Sequence, residues 1–192
     1  MGMSRTAFLR LEAFLSLALV GVSFAWAALR DLPLAAALVP TPGRVVAGGL
    51  AGALLWTTIP LLLRAPSMRR VWHEVLRPFA ATLSTGDIAV IAALSGTTEE
   101  LFFRGVLLPE TGVVASSLCF GALHALTATY FAWATAVGAA MSALTLATGS
   151  LVAPIVAHAT YNFGALLLLR RAAARPGAGE TTATIASPHG IG

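Results

Sequence analysis

The 192-residue sequence predicts an all-α fold, a polytopic membrane helix bundle of about six transmembrane helices. Three observations carry that expectation. First, 57% of the residues are apolar and 10% charged, with a mean hydropathy of +0.83, whereas a soluble domain carries roughly 25% charged residues. Second, the apolar residues gather in runs close to the ~20 needed to span a bilayer as a helix. Third, the basic residues, all twelve of them Arg, flank those runs unevenly. Such a composition does not fit a soluble enzyme, a disordered chain or a nucleic-acid binder. The excess of Arg is instead a topology signal. Abundant Ala and Gly with no Lys suggest a bacterial source.

The runs place spans near 11–29, 45–63, 87–108, 112–128, 131–148 and 150–169. The fourth and fifth are one apolar stretch, 113–148, broken only around Thr127–Tyr130 and too long for a single pass. Arg5, Arg10, Arg64, Arg69, Arg70, Arg77, Arg170, Arg171 and Arg175 fall on one side and Arg30 and Arg44 on the other. By the positive-inside rule both termini are cytoplasmic, in a bacterial inner membrane. The Ala25-Trp26-Ala27 sequence resembles a signal-peptide cleavage site, but the apolar run continues to Leu29, so an uncleaved first helix is expected. Met1-Gly2 with Thr6 matches a myristoylation pattern and is read as chance in such a composition. Residues 67–80 place Val71, Trp72, Val75, Leu76 and Phe79 on one helical face, which predicts an interfacial amphipathic helix, with a substrate gate as the alternative. Three regions result: 1–85, two spans and the interfacial helix; 86–170, a four-helix core; and 171–192, a disordered cytoplasmic tail. The single cysteine, Cys119, is expected to pack as a small hydrophobe.

The third span holds Glu99, Glu100 and Arg104. Ionised groups inside a membrane are costly and need partners. Glu100 and Arg104 stand at i and i+4 and can pair, whereas Glu99 points about 100° away and has no partner on its own helix. The fourth span adds His124, and the sixth adds His158 and Asn162, again at i and i+4. Each motif taken singly also fits helix packing: an ion cluster, or interhelical hydrogen bonds. Counted from the outer span ends at ~1.5 Å per residue, Glu99, His124 and His158 lie roughly 12–18 Å deep. Three helices thus bring polar groups to one level. Peptide hydrolysis needs a base to activate water and donors to hold an oxyanion. Glu99 with His124 suits the first task, and His158 with Asn162 the second. No nucleophile elbow or HExxH motif is present, and Cys119 points about 140° from His124, against a thiol mechanism.

The motifs Glu99-Glu100-x-x-x-Arg104, Phe120-x-x-x-His124 and His158-x-x-x-Asn162 resemble those of the CPBP family of intramembrane proteases, which includes CAAX endopeptidases and bacteriocin-processing or Abi proteins. The resemblance covers about residues 86–170. It implies a glutamate-dependent endopeptidase in which Glu99 and His124 activate water, His158 and Asn162 form the oxyanion hole, and Glu100 and Arg104 stabilise the site. The implied substrate is a membrane-anchored protein or peptide. No cofactor is favoured; a zinc enzyme with Glu99, His124 and His158 as ligands is one alternative, and a non-catalytic scaffold or immunity protein is another. Because the outer connections are short and the cytoplasmic side carries the interfacial helix, the substrate is expected to approach laterally or from outside.

Overall fold

A computed structural model describes residues 4–174, and among these every regular element is helical. Helix α1 (Arg5–Leu29) opens on Ser4, whose hydroxyl accepts from the Ala7 N–H. It leads to a short α2 (Leu34–Ala37) and then to α3 (Pro42–Trp56), started by a Thr41 cap with Pro42 in the first turn. After α4 (Ile59–Leu62) comes a helical strap: α5 (Pro66–Val71), a wide π-type turn π1 (Trp72–Leu76) and α6 (Arg77–Ala81). Helix α7 (Thr85–Glu100) starts with a reciprocal capping box between Ser84 and Asp87 and passes into a second π-type segment, π2 (Leu101–Leu107). Helices α8 (Leu108–Leu123), α9 (Ala128–Thr148) and α10 (Val152–Ala173) complete the bundle.

Five helical segments are long and apolar enough to cross a membrane. One of them, Thr85–Leu123, has 39 residues, far more than one pass needs. It reverses at Gly112, whose φ of 78° and ψ of 174° are outside the helical range and open to glycine. Beyond that point Ser116 donates its hydroxyl to the Phe103 carbonyl, fastening the returning leg onto π2. The expected third and fourth spans are the two legs of this segment.

Several sequence expectations need correcting. The fourth span was placed at 112–128, but α8 ends at Leu123 and His124 is its C-cap rather than a mid-helix residue. Cys119 is exposed on the bundle exterior, not packed inside. Arg171 to Ala173, assigned to the tail, continue α10. The remainder of that tail, from Arg175, and the Met1-Gly2 pattern lie outside the described residues.

Helix α10 is the centre of the bundle. Gly48 and Gly52 of α3 sit against the Ala153 and Ala157 carbonyls, and Gly96 of α7 sits against the Ala159 backbone, so three backbones approach closely. Helices α1 and α7 run side by side in the same direction from an Arg5–Asp87 pair at 2.7 Å. At that same end Arg170 reaches the Leu83 carbonyl and the Thr85 hydroxyl, while Arg30 pairs with Glu110 at the opposite end. The strap lies across the arginine-rich end. Its Met68, Trp72, Leu76 and Phe79 face inward, whereas Val75, assigned to the apolar face, is 54% exposed. The wide turn at Trp72–Leu76 rotates that position away from the bundle.

Candidate active site

Glu99 and Glu100 end α7, and the backbone then widens into π2, which carries Arg104. Despite the altered winding, Arg104 Nη1 donates to Glu100 Oε1 at 2.9 Å and Nη2 donates to the Gly138 carbonyl of α9 at 2.9 Å. Both side chains are almost completely excluded from solvent. The Arg104 guanidinium also lies over the Phe120 ring, 4.6 Å from its centroid. Glu100 Oε1 accepts a second time, from His158 Nδ1 at 2.8 Å. Because the carboxylate is already paired with Arg104, it acts as the acceptor and the His158 nitrogen as the donor.

The second pair is less enclosed. His124 Nδ1 lies 2.8 Å from the Phe120 carbonyl. A carbonyl can only accept, so Nδ1 carries a proton and Nε2 faces Glu99 Oε2 at 3.5 Å. Glu99 and His124 are both partly exposed, and the Glu99 Oε2 atom has no hydrogen-bond partner among the described residues. Phe120 holds this arrangement together: its ring stacks on His124 at 4.4 Å and meets His158 edge-on at 6.0 Å. Asn162 donates its side-chain amide to the Ser95 hydroxyl at 3.0 Å.

All six residues singled out in the sequence therefore meet between α7, π2, α8 and α10, in two groups rather than one ring: Arg104–Glu100–His158 and Glu99–His124, with Asn162 held by Ser95. The Glu99, His124 and His158 set named for zinc is split between those groups, with His158 committed to Glu100. Among the described residues no three His, Cys, Asp or Glu side chains group to hold a metal ion.

Three cavities reach Glu99, His124, His158 or Asn162. One of about 150 Å³ is lined by His124, His158, Asn162, Tyr130, Trp133 and Tyr161. A second, of about 240 Å³, runs from Asn162 and Ser95 to the underside of the strap. The third is a groove of about 450 Å³ between α1 and the end of α8, with Glu99 and His124 on its wall. The cavity nearest the opposite end touches only Arg104 among the six. The groove between α1 and the end of α8 is open to the lateral approach named as one of the two expected routes.

Several residues in this region went unremarked in the sequence. Ser95 orients Asn162, and the Tyr130 and Tyr161 rings line two of the cavities, while Phe120, already quoted in a motif, takes the further task of orienting His124. Glu12, an acidic residue inside apolar α1, lines the groove with Glu99 and also the cavity under the strap. The cost criterion that exposed Glu99 applies equally to Glu12.

Residues 81–164 match the family model described as type II CAAX prenyl endopeptidase Rce1-like. The matched segment contains all six site residues and bears out the resemblance to CPBP/CAAX proteases drawn from the three motifs. No curated protein and no solved structure matches the chain.

Proposed function

We propose that this Rce1-like core is a glutamate-dependent intramembrane endopeptidase that hydrolyses a peptide bond in a membrane-anchored protein or peptide. The single observation behind the proposal is Glu99 Oε2 facing His124 Nε2 at 3.5 Å on the wall of an open groove. The Phe120 carbonyl fixes the imidazole so that one nitrogen is free to exchange a proton with Glu99 or with a water between them. In the proposed reaction water attacks the scissile carbonyl and gives its proton to the Glu99–His124 pair. That proton then passes to the departing amide nitrogen, so the products are a carboxylic acid and an amine.

The oxyanion formed in between is stabilised by donors fixed beforehand. Asn162 offers an amide anchored by Ser95. His158 has Nδ1 committed to Glu100, so donation to the oxyanion requires a proton on Nε2 as well. Glu100 and Arg104 act through His158 rather than on substrate. No metal enters this scheme. On this reading the protein resides in a bacterial inner membrane with both termini cytoplasmic.

The test is Glu99→Gln, which keeps the side chain's shape and removes its basicity. Purified variant protein is expected to retain its elution profile and thermal unfolding while turnover of a membrane-peptide pool falls by at least 10²-fold, the range ascribed to a general base. Unchanged turnover in Glu99→Gln would falsify the assignment.

A further inference from the structure

Five carboxylates lie within the membrane-spanning segments: Glu12, Asp87, Glu99, Glu100 and Glu110. Four of them face an arginine or a histidine: Asp87 with Arg5, Glu99 with His124, Glu100 with Arg104, and Glu110 with Arg30. Glu12 alone has no such partner among the described residues. It stands where the groove that holds Glu99 and His124 meets the cavity beneath the strap, and the walls around it are Phe8, Leu15, Leu19, Trp72 and Leu76. An acidic group in an apolar passage is costly unless a cation comes to it. Resting on the peptidase reading above, we infer that Glu12 is a specificity-determining subsite that receives one cationic side chain of the substrate.

The position of that side chain can be estimated. Arg5 and Asp87 mark a common level, and α1 and α7 run in the same direction from it. Glu12 is seven residues beyond that level and Glu99 twelve, a difference of ~7.5 Å at the helical rise. An extended substrate advances ~3.3 Å per residue. The cation therefore belongs about two residues from the scissile bond, toward the arginine-rich end. The rest of the recognised segment is apolar, because the groove and cavity walls are.

The probes are fluorescein-labelled, Leu/Ala-rich membrane peptides containing either one arginine or, at the same position, neutral citrulline. The arginine position is stepped along the last turns. Binding to the purified full chain in nanodiscs is read by fluorescence anisotropy and cleavage by mass spectrometry. Wild type is expected to bind the best arginine peptide about tenfold more tightly than its citrulline counterpart, the equivalent of one charge-assisted hydrogen bond. Glu12→Gln should bring that ratio close to one, and Glu12→Arg should favour the matching glutamate peptide. Equal binding of arginine and citrulline peptides by wild type at every position overturns the inference without needing any variant. So does a preference that survives in Glu12→Gln. Charge discrimination without cleavage of any peptide supports the Glu12 subsite and counts against the peptidase reading instead.

Discussion

At the scale of single residues, Arg104 is a charge held in the interior, with 2% of its surface exposed. Its guanidinium satisfies Glu100, the Gly138 carbonyl and the Phe120 face together, and Glu100 in turn holds His158. Removing one partner of such a buried pair leaves a charge uncompensated and typically costs ~3–5 kcal/mol. Arg104→Ala is therefore expected to lower the thermal unfolding temperature in detergent as well as activity. A normally stable but inactive variant would assign the arginine to substrate rather than to scaffolding. The Glu100–Arg104 pair was readable in the sequence because both members share one helix face. The Glu99–His124 pair spans two helices, so the sequence coupled it through the common depth of the motifs and the family resemblance, and not through a shared helix face. Phe120 is a middle case: it belongs to a quoted motif, but its task of fixing an imidazole through a backbone carbonyl leaves no mark in composition.

Between elements, the determining contacts are made by small residues. Gly48 and Gly52 form a glycine pair spaced by four on one face of α3, the spacing that lets membrane helices approach closely. A Cβ at Gly52 would strike the Ala157 carbonyl and the Thr160 side chain, whereas one at Gly49 would meet nothing within 4 Å. Gly52→Leu should thus destabilise the protein by at least the ~1–3 kcal/mol usual for overpacking. Gly49→Leu should be close to neutral, and detergent melting curves of the two compare them directly. This glycine pair was present in the sequence but masked by a general excess of Gly. The end of α8 was less accessible to sequence reasoning. Hydropathy continues unbroken through it, and the only local sign is Thr127, whose hydroxyl caps α9 by accepting from the Tyr130 N–H.

For the whole molecule, the arrangement of charge and apolar surface is consistent with a bundle immersed in lipid. Leu17, Leu50, Val114 and Leu146 are each more than 60% exposed, on four different helices, which a water-soluble protein would bury. The arginine count that sorts the two ends was fully legible, because flanking charge depends on sequence position and not on packing. Which cavity reaches the site was not, because the strap and α1 contribute walls from parts of the chain without motifs. Orientation can be tested in a Cys119→Ala background. Asp31→Cys is expected to react with a membrane-impermeant thiol reagent in intact cells. Glu74→Cys should react only after the inner face is opened, and the reverse pattern would invert the topology.

The returning leg of α8 runs only from Val113 to Leu123, eleven residues beyond the reversal at Gly112. That is ~16 Å of helix, about half of a hydrocarbon core ~30 Å thick. The turn that follows, from His124 to Leu126, closes its N–H groups on the Gly121, Ala122 and His124 carbonyls. By hydrophobic mismatch a bilayer meeting so short a leg is expected to thin beside Leu123, which is 76% exposed. On the proposed function, hydrophobic mismatch would thus become a supply route, since water drawn toward the half-length leg comes close to Glu99 and His124, where hydrolysis would consume it.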